Sequence, residues 1–291
     1  MMHRTAYEHG RQFFELYWRP EFSQIIELGS QDVNGTLRDH CPAGATYVGI
    51  DMEPGKGVDL VVGAGEPLPI EAGSVDVAVT SSAFEHDVCF WETFLELVRV
   101  LKPGGLLYVN APGNHAFHRY PVDCWRFYPD AGHALALWAT RRGMEVELVE
   151  SFVAAPAAEG WADFIAVFRK AGGPPLQRKG RIADQTMAAN IHDIALADPM
   201  AVEKESGATW DMLANAELAE RLERSKAALA SAGSEVAEIR AAIDALDQRV
   251  IEMDTARARA EGELARANGE LAQIKGSTAW RVLAPVLRWF G

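Results

Sequence analysis

Hydrophobic and polar positions over residues 22–170 alternate between short apolar runs and amphipathic stretches. Gln24–Leu28, Thr46–Asp51, Val58–Val62, Val75–Thr80, Gly105–Asn110, Met144–Val153 and Asp163–Arg169 have strand length and aliphatic or β-branched content, while Phe90–Leu101 carries its apolar residues at helical spacing. Strands alternating with helices predict an α/β fold on a doubly wound, largely parallel sheet. In such sheets ligands sit beyond the carboxyl ends of the strands, which directs attention to the residue that follows each one.

The pattern changes after residue 170. GGPPLQRKGRIADQ follows Ala171, a glycine and proline cluster that predicts an exit from the domain and a linker over 171–210. Residues 211–275 contain 17 alanines, alternating charges and neither proline nor aromatic side chains, which predicts one long helix. Steps of three and four from Leu222 land on Leu229, Ala232, Val236, Ile239, Ile243, Leu246, Val250, Met253, Ala260, Leu264, Ala267, Leu271 and Ile274, with Ser225 and Arg257 off the pattern. A seven-residue repeat sustained this long predicts a left-handed coiled coil and a homo-oligomer, dimer or trimer, whose register Arg257 helps to set; the alternative is a single solvated helix folded back on the domain. The last segment, 276–291, reads GSTAWRVLAPVLRWFG, with aromatics, aliphatics and arginines suited to a lipid interface or a partner protein.

Composition narrows the function classes. The compact part is 1–170, which holds 22 of the 26 aromatic residues of the 291-residue chain. A net charge of −13 argues against nucleic acid as a partner, because holding that backbone needs clustered Lys and Arg. Cys41, Cys89 and Cys124 are widely spaced with no CxxC pair, which fits a reducing cytosol. The first twenty residues mix charges with aromatics unlike a signal peptide, and no segment reaches the roughly 20 apolar residues of a membrane span, so a cytoplasmic location is expected.

After the first strand comes ELGSQDVNG, where Gly29 permits a tight turn and Asn34-Gly35 a second flexible corner. It is neither GxGxxG nor a P-loop. Asp51 ends the second strand, 22 residues beyond Gly29, where a carboxylate can accept from both hydroxyls of a ribose. Glycine turn plus acid points to a nucleoside; the alternative has Asp51 capping the turn before Glu53-Pro54.

Residues 63–110 add GAGEPLPIEAGSVDVAVTSSAFEH and FWETFLELVRVLKPGGLLYVNAPG. The ordered set E-x-G, Asp51, LP, VDVAV, Glu85-His86 and LKPGG resembles the class I S-adenosylmethionine-dependent methyltransferases, in their small-molecule, type 11-like group, over about residues 22–170. The resemblance implies a Rossmann-like, seven-stranded sheet with its last strand antiparallel and S-adenosylmethionine over the ends of the first, second and fourth strands. It implies further that Glu27, Gly29 and Ser30 line the methionine end, Asp51 holds the ribose, Met52 packs on the adenine, Ala64 and Gly65 lie at the adenine edge, and Ser81 sits beside the sulfonium. Two positions depart from the pattern. Gln31 and Val33 replace the later glycines of the first loop, and Ala64 replaces an acid that would accept from the adenine amino group, a role nearby Glu66 is placed to take.

Methyl transfer to an alcohol needs alignment and a group that takes the hydroxyl proton. His86, His118 and Asp123 are the catalytic candidates, with His115 beside them. Residues 112–129, PGNHAFHRYPVDCWRFYP, form a polar and aromatic insertion where the resemblance places the acceptor pocket. There Trp125, Phe127 and Tyr128 offer stacking faces and His118, Arg119, Asp123 and Arg126 offer contacts to hydroxyls or phosphate; alternatively Trp125 and Phe127 fill the space beneath the loop and Asp123 pairs with Arg126. Four histidines near the site, His86, His115, His118 and His133, suggest a metal as an alternative, but HxxH at 115–118 on a loop is weak evidence and no metal is expected. The coil and the Ser277-Thr278-x-Trp280-Arg281 segment resemble tails of bacterial enzymes that build cell-surface polysaccharides. Together these imply O-methylation of a sugar of a surface glycan or its precursor at the inner membrane face. The alternatives are a lipid, quinone or secondary-metabolite acceptor, or an inactive adaptor organised by its coil.

Overall fold

A computed structural model describes residues 3–157 and 160–287. It divides into two compact units, one ending at Asn215 and one beginning at Ala216. In the first, eight strands among the described residues form one sheet: β1 (Gln24–Leu28), β2 (Thr46–Asp51), β3 (Leu60–Val61), β4 (Val75–Ser81), β5 (Leu101–Pro112), β6 (Val146–Ala154), β7 (Asp163–Lys170) and β8 (Ala188–Asp193). Their order is β3-β2-β1-β4-β5-β7-β6-β8. Strands β1 to β5 pair in parallel, and β7 runs antiparallel to both β5 and β6.

Both faces of the sheet are covered, which is why its central strands are apolar throughout rather than on alternate residues. Along β5, Leu107, Val109 and Ala111 point to a layer made by α2 (Phe90–Val100) and α3 (Asp130–Arg141), where Phe94, Leu97, Leu135 and Ala139 are buried. Leu106 and Tyr108 point the other way, against Phe13, Phe14 and Tyr17 of α1 (Arg4–Tyr17). α2 stops at Val100 because Lys102-Pro103 follows and because Lys170 Nζ donates to the carbonyls of Val98 (2.9 Å), Arg99 (3.1 Å) and Leu101 (2.8 Å).

The observed elements correct three expectations. The sheet has eight strands, not seven, because β8 pairs antiparallel with β6 at the edge. Residues 171–210 therefore do not form a linker: Ile182 and Ile191 are fully buried in the α1-side core. The buried carboxylate of Glu150 accepts from Ile182 N (3.0 Å), Ala183 N (3.3 Å) and Tyr17 Oη (2.7 Å). Gly173 serves close packing, since a Cβ there would lie 2.4 Å from Gly104 Cα. The expected strand Val58–Val62 shrinks to Leu60–Val61, whereas the expected Gly105–Asn110 extends to Leu101–Pro112 with an irregularity in its pairing to β4 between Val75 and Val77.

The second unit is helical. α4 (Trp210–Gly276) runs 67 residues without a break and buries none of its side chains, and α5 (Thr278–Leu287) follows, its start capped by Ser277 Oγ accepting from Trp280 N at 3.2 Å. Arg288 to Gly291, part of the aromatic and basic tail, lie outside the described residues.

Burying Ile182 and Ile191 contributes at least about 3 kcal/mol together, at 1.5 kcal/mol or more for each side chain. A chain ending at residue 215 is expected to melt as one cooperative transition in calorimetry, and one ending at residue 170 at least about 6 °C lower. Equal midpoints would show that 171–215 is not part of the core.

Candidate functional site

The carboxyl ends of β1, β2, β4 and β5 form one rim. Gly29, just past β1, has φ 78, and a Cβ there would lie 2.7 Å from Ala83 Cβ, so only glycine lets the loops after β1 and β4 approach this closely. Its N–H and that of Ser30 donate to the Ile50 carbonyl at 2.9 and 3.1 Å, fixing the turn against β2. Glu27, inside β1, is buried and accepts from Tyr47 Oη at 2.9 Å; burial pushes its carboxyl up to about 7.

Asp51 closes β2 at this rim. Its Oδ2 accepts from Gln31 N (3.0 Å) and its Oδ1 from Met52 N (2.7 Å), so each oxygen is oriented by one backbone N–H and keeps a lone-pair direction for a ligand. Gln31, where the family pattern has glycine, thus holds the carboxylate through its backbone, and its Oε1 accepts from Tyr120 Oη at 3.1 Å. Met52 is 43% exposed beside it. Ala64 and Gly65 lie in an exposed turn, Gly65 with φ 76, where Glu66 Oε2 accepts from Gly63 N at 3.3 Å.

The buried side chains at the rim that lack partners among the described residues include Ser30 Oγ, Ser81 Oγ, and both polar atoms of Asn110. Ser81 and Asn110 are register partners on β4 and β5. Each such unpaired group costs about 1–3 kcal/mol unless something hydrogen-bonds to it. With Asp51 and the Gly29 turn they fit a polar ligand bearing a ribose and an amino-acid end; Ala64 supplies no acid for an adenine amino group. Asn110 was missed by sequence reasoning, although its place at the end of the fifth strand is where such a sheet presents ligand contacts.

The insertion is stitched to the same rim. Cys124 N donates to Glu85 O (2.7 Å), Trp125 Nε1 to Asp87 O (2.9 Å) and His86 Nδ1 to Val122 O (2.5 Å). The structure brings His86 and His118 together, ring centroids 4.9 Å apart, with His118 edge-on to Trp161 at 5.2 Å and His115 stacked on Trp161 at 4.1 Å. Burial lowers the pKa of His86 and favours neutral imidazole, with its Nε2 3.7 Å from Glu85 Oε1.

Asp123 is occupied. It takes both guanidinium nitrogens of Arg126 (2.6 and 2.8 Å) and His118 N (2.6 Å), and the Arg126 pair above all holds its carboxyl down to about 2. It is a positioning group for His118, not a free base. Phe127 is buried against Phe164 and Phe90 and offers no stacking face, while half-buried Trp125 packs edge-on against Phe90 and Trp91. Tyr128 is 62% exposed and borders a cavity of about 220 Å³ beyond the ends of β5 and β6, which Asn114, Asn190, Ser206 and Asp211 also line. That cavity exists because β8 and the residues after it fold onto β6, a tertiary event with no local signal.

Residues 31–109 match a family model described as a methyltransferase domain. An uncharacterized methyltransferase of Mycobacterium ulcerans (strain Agy99) is 29% identical over 139 residues, covering 42% of this chain and 53% of that protein. The malonyl-[acyl-carrier protein] O-methyltransferase of Methylococcus capsulatus is 36% identical over 92 residues, 32% of this chain and 33% of that protein. Among solved structures, the Burkholderia thailandensis 1,6-didemethyltoxoflavin-N1-methyltransferase with bound 1,6-didemethyltoxoflavin and S-adenosylhomocysteine has a TM-score of 0.43 at 13% identity, covering 58% of this chain and 78% of that one. The chain spans about half the length, or less, of the curated relatives it matches.

The raised pKa of Glu27 generates a pH prediction. Between its ordinary value of 4.5 and about 7 the folded chain binds a proton that the unfolded chain has released, so the stability this group contributes is lost as pH rises through that window. Urea unfolding of wild type and Glu27→Gln from pH 5 to 8 is expected to show the wild type losing up to about 1.4 kcal/mol per pH unit relative to the variant. Parallel curves would refute the assignment.

Proposed function

We propose that this chain is an S-adenosylmethionine-dependent methyltransferase acting on a polar small-molecule or glycan acceptor. The observation that carries the reading is the group of buried, unpartnered polar side chains, Ser30, Ser81 and Asn110, gathered with Asp51 on one rim of the sheet. The methyltransferase-domain match over 31–109 contains Ser30's neighbours, Asp51 and Ser81 and supports the same assignment. When bound, S-adenosylmethionine supplies a methyl group already activated on a sulfonium.

The protein's own task is then to bind and align. Asp51 accepts from the two ribose hydroxyls, Gly29 leaves room for the ligand backbone, Glu27, Ser30 and Ser81 line the methionine end, and Met52, Ala64 and Gly65 flank the adenine. On the acceptor side His86 carries its lone pair on Nε2, because Nδ1–H donates to Val122, and that lone pair can take a hydroxyl proton. His118 stands next to it, oriented by Asp123. These polar groups favour oxygen of a sugar as the methylated atom, in a surface glycan or its precursor.

The reading extends to assembly. Leu222, Leu229, Val236, Ile239, Ile243, Leu246, Val250 and Met253 are all exposed along α4, a stripe that a second copy of the helix would cover, and Arg257 on that stripe pairs with Glu261 at 2.8 Å. α5, with Trp280 and Val282 exposed, is assigned to a glycan-assembly partner or the membrane surface at the cytoplasmic face. No helix among the described residues is long and apolar enough to cross a membrane.

Calorimetric titration with S-adenosylmethionine and S-adenosylhomocysteine is expected to give binding that Asp51→Ala weakens by about 10- to 100-fold, the value of one charge-assisted hydrogen bond or more. Absence of binding to folded protein would instead favour an inactive adaptor. In sedimentation the full chain is expected as a dimer or trimer and a chain ending at residue 215 as a monomer; a monomeric full chain would remove the coiled coil.

A further inference from the structure

We propose that Glu85, His86 and His118 bind a divalent transition-metal cation, zinc being the best match to the donor set. One ligand atom from each of the three lies within 4.8 Å of the others, although only Glu85 and His86 are neighbours in sequence. A short 3-10 turn, Phe84–His86, presents the first two, locked by Phe84 in the core, and the insertion returns His118 against His86. Two imidazoles and a carboxylate are a recurrent three-ligand zinc set that leaves a fourth position open.

The surroundings are those of a ligand set rather than a chance cluster. Glu85 is 1% exposed and its Oε2 has no hydrogen-bond partner among the described residues, nor does the buried Nε2 of His86. A buried carboxylate with one oxygen left without a hydrogen bond, beside a lone-pair nitrogen, is costly, and a cation satisfies both at once. Metal-bound histidines usually donate their other ring N–H to a carbonyl or carboxylate, which fixes the tautomer. His86 does so through Nδ1 to Val122 O at 2.5 Å. His118 Nδ1 lies 3.3 Å from Ala116 O and 3.4 Å from Asp123 Oδ2, so its Nε2 is the nitrogen left with the lone pair. The Arg126 pair keeps Asp123 ionised in that supporting role.

Glu85 Oε1 and His86 Nε2 are already 3.7 Å apart, close to the roughly 3.3 Å separation of ligand atoms around tetrahedral zinc. These three residues form the cation site whatever group the protein transfers. When the site is filled, the His86 lone pair is committed to the cation and an acceptor oxygen meets the open position instead.

The test uses the tag-free full chain, stripped with a chelator and titrated with Zn²⁺ by calorimetry and with Co²⁺ by visible absorption. One zinc per chain is expected, with Co²⁺ d–d bands of a four- or five-coordinate site. His118→Ala is the key variant because His118 is half-buried on the insertion and outside the core. It should weaken Zn²⁺ binding by more than about 100-fold, since even the supporting partners of a ligand are typically worth 10- to 100-fold. Glu85→Gln should do the same where circular dichroism shows it folded, and His133→Ala on α3 should leave affinity unchanged. Absence of binding, or binding that His118→Ala leaves intact, would overturn the proposal, including the case in which Asp51→Ala has already confirmed S-adenosylmethionine binding.

Discussion

β4 is buried on both faces over all seven of its residues, and the remainder of the first unit is arranged around that constraint. A strand in this position exposes nothing to water, so every polar side chain on it must find a partner inside the fold. At its amino end the demand is met: Asp76 accepts from Ser23 N and Gln24 N, each at 3.0 Å, and from Lys102 Nζ at 2.8 Å, which ties β1, β4 and β5 together. At its carboxyl end it is not met. Ser81, with Asn110 beside it and Ser30 across the β1 turn, is buried without a partner among the described residues. β4 is thus satisfied at its amino end and unsatisfied at its carboxyl end, the end at which such a sheet presents ligand contacts.

The insertion turns that rim into a site. Three hydrogen bonds from Val122, Cys124 and Trp125 fasten it to residues 85–87, and Phe127 and Trp125 sink into a small aromatic cluster with Phe90 and Trp91. The aromatic side chains therefore act as anchors, and the polar ones they hold in place are His118 and its supports Asp123 and Arg126. Energetically this is a division of labour. Apolar burial of about 1.5–3 kcal/mol per large side chain immobilises the loop, and the imidazoles are left for chemistry.

α4 obeys a different rule. A helix of 67 residues that buries none of its side chains gains little from packing within its own chain beyond its first turn, where Trp210 Nε1 donates to Val153 O at 3.1 Å, and Gly233, Gly262 and Gly269 weaken it by roughly 1 kcal/mol each relative to alanine. Its exposed apolar stripe is the feature able to offset this, if a second copy of the helix covers it.

The sequence alone determined the strands β1, β2, β4, β6 and β7 to within a few residues, the helix α2, the unbroken α4, and the rim residues Gly29, Asp51 and Ser81. Each of these is a local pattern: a run that must be buried on both faces, a period that must stay on one stripe, a turn that only glycine can take. Tertiary structure decided the rest. AANIHD reads as polar linker until β6 offers it an edge, and a glycine-proline cluster reads as an exit until Gly173 is seen against Gly104. Asp123 reads as a base until Arg126 and the His118 amide claim both its oxygens. Glu85 reads as one letter of a motif until burial leaves its Oε2 without a partner and the insertion brings His118 to it. Strand edges, charge pairings and the loss of water are set by residues distant in the chain, and no local spacing encodes which of them will meet.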